Sequence, residues 1–227
     1  MELLHHIPFT LDAELLMKEL RVRPGTGSAD AFADLLARVT EVARPKALYE
    51  ASYIDEKAED SVVVTGVRFT SRALRRNLDQ VERVFPYVAT CGTEVDALTV
   101  PGDDMVQSLW LWTIKEALLG AARDHLDDHL ASRYRMTHTA AMHPGSGDAD
   151  VWPIEQQPAL FSVLGDVESL IGVRLTDSML MIPTMSVSGV IFPTEQDFAS
   201  CQVCHREGCP RRSAPFDEEV WRAACGE

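Results

Sequence analysis

The residues whose types and spacing could do chemistry lie late in the chain, in Ser200-Cys201-Gln202-Val203-Cys204-His205-Arg206-Glu207-Gly208-Cys209-Pro210. Three thiols at C-x2-C-x4-C spacing can wrap one metal centre, because the short arcs let each thiolate point inward with no regular element between them. Cys209, reached through a short polar loop and followed by proline, points to an iron–sulfur cluster, expected as 4Fe-4S, although the bacterial ferredoxin run is tighter. The C-x2-C half would equally serve zinc, whose usual second pair is missing. Read alone, Cys201-Gln202-Val203-Cys204-His205 is a C-x-x-C-H haem-attachment motif. Attachment needs export, and the start Met1-Glu2-Leu3-Leu4-His5-His6-Ile7-Pro8 has neither a basic segment nor a long apolar one. A zinc knuckle or unligated surface thiols are the plainer readings of the same residues.

Three thiolates leave a fourth position. Cys91 is expected there, in Val88-Ala89-Thr90-Cys91-Gly92-Thr93-Glu94, where a strand-like run gives way to a helix whose N-terminal charge would favour a thiolate. A buried, inert thiol is the bland alternative at Cys91. Cys225, His205 or an open site are the other choices. His205, Arg206, Arg211 and Arg212 surround the cysteines in a chain whose formal net charge is −14. Such cations would stabilise a more negative cluster or dock an acidic partner.

That charge and a pI near 4.9 exclude the basic footprint of nucleic-acid binding. No apolar run reaches membrane-spanning length, and five cysteines outside a secretory context fit a reducing cytoplasm. No hydrolase constellation is legible: His5, His6, His138 and His143 stand without motif context and read as loop or surface histidines. His125 and His129, one turn apart among Asp124, Asp127 and Asp128, read as a solvated acidic helix face rather than a ligand set.

The elements that must position these residues follow from hydrophobic period. An edge strand is expected over 6–10, helices over 11–20 and 29–43, and a hairpin of strands 47–54 and 61–67. Thr70 or Ser71 caps a helix, and 83–90 supplies a central strand ending at Cys91. From Pro101-Gly102-Asp103-Asp104 a long helix runs to about Arg135, with Ile114, Leu118, Ala122, Leu126 and Leu130 as its inward stripe. Strand 137–142 turns at His143-Pro144-Gly145-Ser146-Gly147 into the loop 148–152, and a helix from Pro153 and strands at 173–176, 178–182 and 186–192 complete the pattern.

The last two-fifths of the chain resemble the activation domain of cobalamin-dependent methionine synthase and its stand-alone relatives. The residues that carry this are Pro144-Gly145, the helix end Leu160-Phe161-Ser162-Val163-Leu164-Gly165, the run Ile171-Gly172-Val173-Arg174-Leu175-Thr176-Asp177-Ser178, then Met181, Pro183 and Ser186-Val187-Ser188-Gly189. The resemblance implies an α+β fold, a twisted antiparallel sheet flanked by helices, working in a corrinoid context. It also implies cofactor binding at Pro144 and Gly145, since the family holds S-adenosylmethionine at a turn written R-x-x-P-G-Y. Here the arginine position is Ala141 and the tyrosine position Ser146, so the guanidinium fork is missing and the cofactor is not carried over with the fold.

Three parts are expected: an N-terminal α/β portion over 1–100, the activation-domain-like core over 101–196 and a Cys-rich tail over 197–227. The leading functional expectation is a reductive activator whose iron–sulfur cluster, on Cys201, Cys204, Cys209 and Cys91, returns the cobalt of a corrinoid methyltransferase to its nucleophilic state. A corrinoid-protein or small-molecule binding module with structural zinc is the alternative, and an S-adenosylmethionine-binding reactivation domain the third.

Overall fold

The computed structural model describes residues 1–100, 102, 104–146, 151–195, 198–209 and 212–225. In chain order its elements are β1 (Glu2–Leu4), α1 (Ala13–Glu19), α2 (Gly27–Val42), β2 (Lys46–Tyr49), β3 (Ser52–Lys57), β4 (Ser61–Val64), β5 (Val67–Thr70), α3 (Arg72–Asn77), β6 (Arg83–Thr90) and α4 (Thr93–Asp96). There follow α5 (Met105–Tyr134), β7 (Thr139–Met142), α6 (Gln157–Leu164), α7 (Val167–Ile171), β8 (Arg174–Leu175), β9 (Met181–Ile182), β10 (Ser186–Pro193) and α8 (Glu218–Cys225).

β6 is the centre of one antiparallel sheet. β10 runs along one side of it, pairing Ser186 with Thr90 through Ile191 with Phe85, and β7 closes that edge beyond β10. On its other side β2 and β3 pair in succession, Lys46 with Thr90 at one end and Tyr53 with Arg83 at the other. The single strand expected over 47–54 is thus two, breaking at Glu50 and Ala51, and it pairs with one partner on either side of the break. β1 extends the sheet beyond β2, at Glu2–Leu4 rather than at 6–10, and β4 and β5 extend it beyond β3.

Alternation along β6 divides the core. Phe85, Tyr87 and Ala89 face α5, whose Ala122, Leu126 and Leu130 are fully buried against them. Val84 and Val88 face the opposite side, where α6, α7 and Trp152 pack. The inward stripe predicted for α5 is the one observed, because apolar residues at helical spacing can be buried together only against one surface. Asp104 caps that helix, accepting from the amides of Val106 and Gln107, and Ser71 caps α3. Asp12 caps α1 and Thr26 caps α2. Leu15 lies on the outer face of α1 at 61% exposure, and Leu16 is the buried residue there.

Candidate functional site around the Pro144–Gly145 turn

The turn after β7 is held from three directions. Gly145 donates its amide to the carbonyl of Trp152 at 2.8 Å, and Ser146 donates to the carbonyl of His143 at 3.1 Å. Gly145 has φ +74°, and a Cβ there would lie 2.8 to 2.9 Å from three side-chain atoms of Ile154, so the turn fits only a residue without a side chain. Trp152 is fully buried edge-on to Phe69, 5.8 Å between ring centroids. Gln156 accepts from the Thr70 amide at 2.8 Å and donates to the Thr70 carbonyl at 2.5 Å, which ties the segment after the turn to β5. Pro144 is buried, whereas Gly145 and Ser146 are exposed. The loop residues 147–150 lie outside the described residues.

Beneath the turn, Tyr87, Gly189 and His143 form a row across β6, β10 and the end of β7, since Gly189 pairs with Tyr87 and Val190 pairs with Met142. The Tyr87 hydroxyl meets His143 Nε2 at 2.9 Å over the glycine. A Cβ on Gly189 would stand 2.5 Å from the Met142 carbonyl oxygen and 2.7 Å from the His143 ring. His143 as a residue keeps some exposure, but its imidazole is enclosed, and burial, helped by the charge of Arg123, lowers its pKa to about 4. It is therefore neutral at neutral pH and not the surface histidine the sequence suggested. Burial also raises the Tyr87 phenol, and it raises the carboxyl of Asp127 on α5. Ala141, at the position where the resemblance places an arginine, packs with Tyr134, Met136 and Ile191 under α5.

The cysteine segment is a separate place. Val203 is fully buried with Leu74, Phe192 and Trp221, which fastens the segment to the body, and Arg76 donates to the Ala223 carbonyl. Arg212 gathers the loop: its guanidinium donates to the carbonyls of Cys201 and Cys204 at 3.0 Å, of Arg206 at 2.6 Å and of Ala214 at 3.3 Å. Cys201 Sγ accepts from both the amide and the hydroxyl of Ser213 at 3.4 Å, and those donors, side chain first, lower its pKa. His205 lies against Phe216 and Trp221.

The thiols were expected to converge, but among the described residues no three of His, Cys, Asp and Glu stand together closely enough to hold a metal ion. The loop is closed by a guanidinium bonded to its carbonyls. Cys91 does not join them. It is fully buried with Leu35, Val95, Ile114 and Met185, a cluster apart from the one that holds Val203, and burial pushes its pKa up to about 12. Pro210, Arg211 and the side chain of Cys225 lie outside the described residues. His129, expected on a solvated face, bonds the Tyr49 hydroxyl at 3.0 Å and faces Glu2 at 3.3 Å, which ties β1 to α5.

An α+β protein with a curled antiparallel sheet and a long helix across it is the class that these elements define. The sequence model "Vitamin B12 dependent methionine synthase, activation domain" matches residues 106–206, and over that stretch the chain is similar to that domain. Among solved structures, the MetH reactivation domain bound to AdoHcy is similar in fold, with TM-score 0.55 and 17% identity over 95% of this chain and 79% of that one. No curated protein matches. Among the described residues no helix is long and apolar enough to cross a membrane.

Proposed function

We propose that this chain is a corrinoid-reactivation module that holds an S-adenosyl nucleoside beside the Pro144–Gly145 turn and docks on a corrinoid methyltransferase. The observation that carries this reading is the turn itself, braced by Trp152, Gln156 and Ile154 while Gly145 and Ser146 stay open to solvent. A braced turn loses little entropy on binding, and a glycine lets a ligand approach the backbone closely. The solved reactivation domain of similar fold is bound to AdoHcy, which supports the same ligand class here. S-adenosylmethionine, when bound, supplies the methyl group. The residues of this chain bind and orient it. Calorimetry with AdoHcy and with S-adenosylmethionine tests the proposal. One saturable site per chain is expected, and the absence of heat at millimolar ligand would overturn it.

A second reading keeps Cys201, Cys204 and Cys209 as ligands of an iron–sulfur cluster or zinc, with Cys91 as the fourth ligand expected from the sequence. It is favoured by the two hydrogen bonds that Cys201 Sγ accepts from Ser213, since such donors stabilise a thiolate. Arg212 is bonded to the Cys201 and Cys204 carbonyls of the same loop, which leaves their sulfurs free of that contact. Burial of Cys91 with a different apolar cluster speaks against its membership. Iron and zinc analysis with electron paramagnetic resonance on anaerobically prepared protein separates the outcomes: stoichiometric iron with a cluster signal supports this reading, and protein free of both metals removes it.

A further inference from the structure

We propose that Tyr87 and His143, hydrogen-bonded to each other above Gly189, are positioning residues that fix the Pro144–Gly145 turn in its binding conformation. The inference rests on the ligand reading of that turn. His143 is the last residue before the turn, and its carbonyl accepts from the Ser146 amide at 3.1 Å, so whatever holds His143 holds the turn. Its side chain is held by one bond to the central strand, Tyr87 at 2.9 Å, across an intervening strand that contributes no side chain at the crossing. Gly189 is what makes that reach possible, because any Cβ would strike the Met142 carbonyl and the imidazole together. The rings meet nearly perpendicular, 6.2 Å between centroids at 77°, an edge contact beside the hydrogen bond. A glycine inside a buried strand otherwise weakens it, and its presence here is explained by this close passage.

The test compares Tyr87→Phe, His143→Leu and His143→Gln with the natural chain by amide hydrogen exchange. The amides of Gly145 and Ser146 are expected to lose protection about tenfold in Tyr87→Phe and His143→Leu, the effect of losing one buried hydrogen bond, with those of β6 and β10 unchanged. His143→Gln keeps an amide oxygen able to accept from Tyr87 and is expected to restore most of the protection. A purely structural role would not move the turn alone or show that rescue. Unchanged exchange at Gly145 and Ser146 in Tyr87→Phe, or an equal rise along the whole of β10, would overturn the inference. Exchange decides this question without ligand, whereas AdoHcy binding by the natural chain decides the function, so the two can fail separately.

Discussion

The histidine beneath the turn should make the protein acid-sensitive in a calculable way. In the unfolded chain its pKa is 6.5 and in the folded one about 4. The folded state therefore holds no proton on it at a pH where the unfolded state does. The stability it contributes is fully present above pH 6.5 and is lost as the pH falls toward about 4, where the loss levels off. At about 1.4 kcal/mol per unit, the whole shift corresponds to about 3 kcal/mol, of which about 2 kcal/mol is lost by a pH of about 5. Acid-induced losses from elsewhere in the fold are common to the natural chain and a variant at this one position, so the quantity to read is a difference. Urea unfolding of the natural chain and of His143→Gln at pH values of about 7 and about 5 isolates it. The natural chain is expected to lose about 2 kcal/mol more than the variant over that interval. Parallel losses in the two proteins would refute the enclosed, neutral imidazole.

Further consequences can be read independently. Gly189→Ala should destabilise the fold by about 1–3 kcal/mol or more, because the neighbouring carbonyl belongs to backbone and cannot swing aside; a melting point equal to that of the natural chain would contradict the close passage. Trp152→Ala should cost about 3–5 kcal/mol, the range for emptying a fully buried aromatic site, and should loosen the turn through its lost support. Brief alkylation of the native protein followed by mass spectrometry should label Cys201, which is part-exposed with a lowered pKa, and spare Cys91. Labelling of Cys91 before unfolding would refute its burial.

The parts of the fold most legible in the sequence are those where one period runs long enough to dominate. β6 was readable residue for residue, because an unbroken apolar run is buried on both faces, and α5 was readable from its stripe and its capping aspartate. Length alone does not decide legibility, since β7, β8, β9 and α3 are short and were expected, whereas β5, α7 and α8 were not. β5, α7 and α8 carry four, five and eight residues, and the break at Glu50 and Ala51 has no turn residue to announce it.

At the site, Pro144 and Gly145 were legible through the family resemblance, whereas the Tyr87–His143 pair was not. One member is an aromatic in an apolar run, and the other is a histidine with no motif around it. The available signal was Gly189, an isolated glycine inside a strand pattern, which marks a place where something must pass close. In the tail, cysteine spacing fixes how near the thiols can come but not what else holds the loop. Arg212, bonded to four carbonyls, holds it, and nothing in the C-x2-C-x4-C pattern points to it.

The central claim, that an S-adenosyl nucleoside sits at the braced turn, is tested most directly by a crystal structure of the full chain grown with AdoHcy. Density for the nucleoside against Gly145 and Ser146, with the Tyr87–His143 bond intact beneath it, is the predicted result. Ligand bound elsewhere on the molecule, or none at saturating concentration, would contradict the account.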